Sequence, residues 1–275
     1  MTEQFRQNVT QGAALASLLT AFFILPPANA AQSDPVRAEG VDIRLVASAP
    51  EADGKIPAML DIRLAPGWKT YWIDPGSSGL PPQITVSGPG LRFDGVRFPA
   101  PKAFEEGSAR SVGYADGVTL PLVLSHEAGA MPARVTAQVM IGVCKDICVP
   151  VQASLSADLS GPAAANPLDK ARIALAEESL PGPPQPDLTV TSARVKDAKL
   201  VLELTAPAGE PPQIFLSSSK GASFGTPKIV PAGPGRFRAE TTLRLPRAAA
   251  APAEAGITAV LVSGRRAVEM PLVFE

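Results

Sequence analysis

The sequence predicts a mostly β protein built as two β-sandwiches in tandem, joined by a short helix and a Pro-rich linker. Three observations predict it. Pro (30) and Gly (23) make up about one in five of the 275 residues, against roughly one in eight on average. Pro breaks helices and Gly weakens them, so long helices have little room. Apolar residues reach 45% and charged ones only 19%, which argues for a packed core rather than a disordered chain. Finally, apolar and polar residues alternate with period two in many short runs separated by turn residues, the pattern of half-buried antiparallel strands.

The chain opens on an apolar run from Gly12 to Leu25, stopped by Pro26-Pro27 and followed by Ala28-Asn29-Ala30. That length and the small-x-small ending read as an export signal cleaved after Ala30, with an uncleaved anchor as the alternative. Strand patterns follow at once. Val41, Ile43 and Leu45 face one way against Asp42 and Arg44; Leu60, Ile62 and Leu64 repeat this against Asp61 and Arg63. Val118, Leu120, Leu122 and Leu124 form a third run, and Val135, Val139, Ile141 and Val143 a fourth, with Val149, Val151 and Leu155 on the core face beyond it.

The period changes between Asn166 and Leu180. Asn166 suits an N-cap, Pro167 the first helical position, and Leu168 with Ile173 or Leu175 an apolar stripe. Pro181-Gly182-Pro183-Pro184-Gln185-Pro186 then reads as a stiff linker. Strand alternation resumes at Leu200, Leu202 and Leu204 and again at Phe237, Thr241, Leu243 and Leu245. The expected organisation is a signal peptide over 1–30, a first sandwich over 31–160, helix and linker over 161–186, and a second sandwich over 187–275. Pro81-Pro82-Gln83-Ile84 and Pro211-Pro212-Gln213-Ile214 occupy similar places after a strand in each half, a faint sign of duplication.

Composition also excludes functions. With 25 basic and 26 acidic residues the net charge is −1, so no footprint for nucleic acid exists. His126 is the one histidine, which nearly rules out His-based metal sites, and no nucleophile motif accompanies it. No cofactor is expected.

The distinctive chemistry therefore sits in Val143-Cys144-Lys145-Asp146-Ile147-Cys148-Val149-Pro150, which holds both cysteines. Alternation puts Cys144 and Cys148 on the face turned away from the core, and three intervening residues suit a hairpin loop. Such a loop makes the cysteines cross-strand neighbours that a disulfide can span. One reading is a structural staple, the default in an exported chain. Closing so short a loop contributes about 2 kcal/mol or less. The other reading is a reversible dithiol, for which proximity and exposure matter more. Zinc is a poor third option, because two thiolates and one distant His do not complete a site.

A family resemblance bears on this choice. Gly67-Trp68-Lys69-Thr70-Tyr71-Trp72, Pro75-Gly76, Gly79-Leu80-Pro81-Pro82, Thr119-Leu120-Pro121-Leu122 and the hairpin ending Cys148-Val149-Pro150 come in an order that resembles the amino-terminal periplasmic domain of the thiol:disulfide interchange protein DsbD, most closely its ScsB-like branch. The resemblance covers about residues 36 to 160, and the later half matches more loosely the second sandwich of ScsB-type proteins. It implies immunoglobulin-like sandwiches and a redox-active cysteine pair. Cys148 would form the mixed disulfide with partners and Cys144 would resolve it. Electrons would come from a separate membrane electron-transfer protein and pass to periplasmic thioredoxin-fold proteins, in a setting of cytochrome c biogenesis or copper tolerance. The chain would be a standalone module.

In the DsbD form an acidic-acidic-aromatic cap loop shields the pair. Here Glu105 and Glu106 fall on the acidic positions, but Gly107 occupies the aromatic one and Phe104 lies on the other side. The cysteine gap is also shorter than in the DsbD form. Both departures suit an open, ScsB-like pair. Glu105 and Glu106 would raise the cysteine pKa values if they lie close, or else line an ordinary polar loop. Tyr71, Trp72 and Tyr114 are candidates for a rim around the cysteines, against the plainer reading that they pack a core or a turn. The rival function is a non-catalytic envelope binding module with a structural hairpin disulfide.

Overall fold

The structure is a computed structural model that describes residues 31–106, 109–161, 166–209, 211–249 and 251–275. The expected signal segment, 1–30, and Gly107 lie outside the described residues. The amino-terminal strands are β1 (Val36–Ala38), β2 (Val41–Ala47), β3 (Ala58–Leu64), β4 (Lys69–Gly76), β5 (Gln83–Ser87), β6 (Leu91–Val96), β7 (Lys102–Glu106), β8 (Ala109–Ala115), β9 (Val118–His126), β10 (Arg134–Cys144) and β11 (Cys148–Asp158). Helix α1 (Pro167–Glu178) follows. The remainder is β12 (Thr189–Lys196), β13 (Lys199–Thr205), β14 (Gln213–Ser218), β15 (Ser223–Phe224), β16 (Lys228–Gly233), β17 (Arg236–Arg244), β18 (Ile257–Ser263) and β19 (Arg266–Pro271). The fold is mostly β, in several antiparallel sheets consistent with an immunoglobulin-like sandwich.

Two sheets enclose the first core. One has the order β1-β2-β3-β9-β6, the other β11-β10-β4-β8-β7 with β5 also on β10. Ile43, Leu45, Leu60, Ile62, Leu120 and Leu122 of one sheet meet Val135, Ala137, Val139, Ile141, Val143 and Leu155 of the other. Each of these Val, Leu and Ile side chains contributes about 1.5–3 kcal/mol on burial, so this interior rather than any crosslink holds the sheets together. Val149 departs from expectation and is exposed: it lies one residue from the hairpin turn on the outermost strand.

Helix α1 is capped as expected, with the Leu168 amide donating to Asn166 Oδ1 at 2.9 Å. Its buried face differs. Leu168 and Leu175 are 72% and 64% exposed, and Asp169, Ile173 and Ala176 turn inward. Polar anchors set this rotation. Arg172 Nη2 donates to Asp61 Oδ2 at 2.7 Å, and Gln32 Nε2 donates to Asp169 Oδ1 at 2.7 Å. Ile173 and Ala176 then cover Val46 and Met59 on the outside of the first sheet. The helix is thus a lid on that sheet rather than a free connector. No helix among the described residues is long and apolar enough to cross a membrane.

A second core, with Leu200, Leu202, Leu204, Ile214, Leu216, Phe237, Leu243, Leu261 and Val268, lies between the sheets β12-β13-β17-β15 and β14-β18-β19. The Pro-rich segment is not loose. The Gly182 amide donates to Ala267 O at 3.0 Å, and the Glu269 amide donates to Gly182 O at 2.9 Å, which docks it along β19. Pro81-Pro82 and Pro211-Pro212 each lead straight into a strand, β5 and β14, although β4 has no counterpart between β13 and β14.

A smaller apolar cluster bridges the two halves: Trp72, Val112 and Tyr114 from β4 and β8 meet Phe215 and Val260 from β14 and β18. The Trp72 and Phe215 rings stand edge to face, with centroids 6.2 Å apart. Phe215→Ala is expected to lower stability by about 3–5 kcal/mol, read as a fall in the denaturant midpoint. A midpoint unchanged within error would show that this junction is not a packed contact.

Candidate functional site: an asymmetric cysteine hairpin

β10 and β11 pair along their whole length, from Arg134↔Asp158 to Cys144↔Cys148. Lys145, Asp146 and Ile147 turn the chain, and Cys144 and Cys148 form a disulfide with Cα atoms 4.1 Å apart, near the spacing of directly opposed residues in an antiparallel pair. On the outer face the same two strands carry a polar ladder, Thr136 with Ser156 and Gln138 donating to Ser154.

The two cysteines are not equivalent. Both were expected to face outward into the open, yet Cys144 is only 5% exposed, whereas Cys148 is exposed. Strand order supplies the reason. β10 has β11 on one side and Lys69 of β4 opposite Cys144 on the other, while β11 is the edge of its sheet. Pro150, which has no amide hydrogen to donate, fits that edge position. Ile147, 76% exposed, precedes Cys148 in the chain, and the exposed Pro150 shares its face of β11.

Tyr71 completes the site. Its hydroxyl oxygen lies 3.0 Å from Cys148 Sγ. A disulfide sulfur has no hydrogen, so in this oxidised state the hydroxyl donates. The ring itself is buried. Trp72, its neighbour in the chain, points to the opposite face of the sheet and into the junction with Phe215. Tyr114 does the same and donates from its hydroxyl to Pro99 O at 2.8 Å; burial pushes its phenol far above the ordinary range, so it stays a protonated donor. Trp72 and Tyr114 therefore do not rim the cysteines, because period-two alternation sends them inward. Trp68 packs elsewhere again, over Gly40, where any Cβ would collide with its ring.

The cap-loop candidates lie on β7. Glu105 pairs with Arg110, Oε1 to Nε 3.2 Å, and Glu106 stands opposite Ala109 in the β7–β8 ladder. Phe104 lies 5.6 Å beneath Lys69 Nζ, and Lys69 is the strand neighbour of Cys144. Thus Phe104 reaches the cysteine pair only through Lys69, and the Glu105 carboxylate faces a guanidinium. His126 ends β9, with Nδ1 3.0 Å from Glu127 O. No group of three or more His, Cys, Asp or Glu that could hold a metal occurs among the described residues.

Sequence reasoning missed Gly79 and Gly142, which flank the Tyr71 ring. A signal was available: Gly142 sits inside a long strand, and glycine there often marks a close approach.

A sandwich with a disulfide hairpin at one sheet edge fits a domain of the thiol:disulfide exchange class. Residues 41–160 match the family described as "Thiol:disulfide interchange protein DsbD, N-terminal", and that segment belongs to the DsbD amino-terminal domain family. Among solved structures, the chain is similar to the N-terminal periplasmic domain of ScsB from Proteus mirabilis, with TM-score 0.70 and 22% identity over 90% of this chain and 100% of that one. No curated protein matches.

Burial sets an order of reactivity. After reduction, limiting iodoacetamide at neutral pH is expected to label Cys148 at least about tenfold faster than Cys144, read by peptide mass; equal labelling would remove the asymmetry. Thiol reactivity follows access and thiolate character.

Proposed function

We propose that the protein is a periplasmic thiol:disulfide exchange module, relaying two electrons at a time through a reversible Cys144–Cys148 disulfide to thioredoxin-fold partners. The observation that carries this reading is that Cys148, an exposed residue on an edge strand with a tyrosine hydroxyl on its sulfur, is bonded to a buried Cys144.

In the reduced protein the Cys148 thiolate attacks one sulfur of a partner disulfide. The Cys148–partner bond forms, the partner's own S–S bond breaks, and the partner's second sulfur leaves as a thiolate. Cys144, held beside Cys148 by the strand register, then attacks Cys148 Sγ. That restores the Cys144–Cys148 disulfide and releases the partner as a dithiol, so two electrons have left the pair. Recharging is the same sequence in reverse, with a thiolate from a separate membrane electron-transfer protein attacking Cys148. The exposed apolar Ile147 and Pro150 beside Cys148 give the partner a surface to dock on. The leader ending at Ala30 supports export, and we place the two sandwiches as domains at 31–160 and 187–275.

Purified Cys144→Ala, mixed with an oxidised thioredoxin-fold protein of the cell envelope, is expected to accumulate a mixed disulfide on non-reducing gels, and Cys148→Ala none. Equal trapping by both variants would cancel the assignment of roles. Trapping by neither, with a reduction potential below about −300 mV, would favour a binding module with a structural bond.

A further inference from the structure

Tyr71 stands where it does because hydrogen alone occupies the glycine positions on either side of its ring. A Cβ at Gly142 would lie 2.9 and 3.0 Å from ring carbons Cδ2 and Cε2, and 2.9 Å from Leu80 Cβ. A Cβ at Gly79 would lie 2.7 and 2.9 Å from Cδ1 and Cε1, on the other long edge, and would run into Pro75 Cβ. Carbons do not approach that closely without something shifting. Neither glycine has a positive φ, so the backbone conformation does not demand glycine at either place. The missing side chain is what each position uses.

The ring is therefore held edgewise between a strand residue and a loop residue. Gly142 lies on β10 opposite Pro150, and its carbonyl accepts from Thr70 Oγ1 at 2.8 Å, which ties it to the strand that carries Tyr71. Gly79 belongs to the loop that leaves β4 after Gly76 and returns to β5. Between them the ring has one direction left to extend, toward the hairpin end, and its hydroxyl meets Cys148 Sγ at 3.0 Å.

We infer that Gly79 and Gly142 are positioning residues for the exchange reaction: they clamp the Tyr71 ring so that its hydroxyl is held on the Cys148 sulfur. The inference rests on the exchange function proposed above and assigns two residues to it. Once the disulfide is reduced, the same hydroxyl donates to the Cys148 thiolate. A hydrogen bond to the charged form favours that form, and one fixed by the clamp needs no reorganisation when the thiolate appears or leaves. The clamp thus acts on Cys148 through Tyr71.

The test is the pH dependence of iodoacetamide alkylation at Cys148 in the reduced, full-length protein, read by peptide mass. Tyr71→Phe removes the hydroxyl and is expected to leave about tenfold less Cys148 thiolate at a pH below its midpoint, equivalent to about one pH unit in that midpoint. Gly142→Ala and Gly79→Ala should shift the midpoint the same way and by a similar amount. In a Tyr71→Phe background both glycine substitutions should add nothing to the midpoint, while any loss in melting temperature persists. An unchanged midpoint in the glycine variants overturns the inference, and so does an equal shift with and without the hydroxyl. Should the glycine variants fail to fold, nuclear Overhauser contacts in the wild-type protein decide: Gly79 and Gly142 α-protons should touch the Tyr71 ring in both redox states, and their loss on reduction overturns the clamp. The titration needs no partner. A wild-type protein that traps no partner while its titration follows this pattern ends the exchange reading alone; normal trapping with unmoved midpoints ends the clamp alone.

Discussion

The pairing of an interior strand with an edge strand is the constraint on which the cysteine site depends. β10 must be interior, because its alternate residues from Val135 to Val143 fill the core and β4 and β5 pair with its other side. Among the described residues β11 has no second strand neighbour. A crosslink placed at the end of such a pair inherits the difference: one sulfur is walled in by a strand on each side, the other stands at the rim. No special loop is needed to create the asymmetry. Exposed edges invite unwanted strand pairing, and Pro150 together with the turn at Lys145–Ile147 limits that risk just where the sulfur is open.

β4 carries the second half of the design. Tyr71 and Trp72 are adjacent, so alternation must send them to opposite faces. One meets Cys148 and the other enters the junction with Phe215. The regular pairing of β4 with β8 breaks between Tyr71 and Gly76, and bulges of this kind re-aim side chains near functional sites. The carboxy-terminal sheets thus cover the back of the strand whose front meets the cysteine pair. Trp72 buries its indole N–H without a hydrogen-bond partner among the described residues, so apolar packing fixes its place.

Much of this was legible from the residues, and the failures have physical causes. Period-two alternation identified the strands around Ile43, Leu60, Leu120 and Val139, because each has one face buried and register admits no slip. The Cys144–Cys148 apposition followed from the same rule. Their unequal burial did not, since strand order across a sheet is a long-range fact that no local pattern encodes. Helix α1 shows the same limit: Leu168 and Leu175 look like an apolar stripe, but Asp61 and Gln32, more than a hundred residues away in the chain, hold Arg172 and Asp169 and turn the helix about its axis. The cluster Trp68-Lys69-Thr70-Tyr71-Trp72 reads as one patch, yet its three rings go to three environments. Alternation separates Tyr71 from Trp72; only the fold reveals what lies on each side.

Whether the fold must change when the disulfide opens can be argued from magnitudes. The crosslink closes a loop of five residues, worth about 2 kcal/mol or less in unfolded-state entropy. The hairpin it closes is already held by the full ladder between the 11-residue strands β10 and β11, by β4 and β5 on the far side of β10, and by Val143, Ile141, Leu155 and Val151 in the core. Each of those side chains contributes as much as the crosslink does. Opening the disulfide therefore removes a minor constraint from a region fixed by many larger ones. The two cysteines stay opposed and the edge stays open, because the strand register already holds Cys144 and Cys148 together. A pair in a long, loosely packed loop would lose that proximity on reduction; this one keeps it, because the sheet and not the disulfide sets the distance.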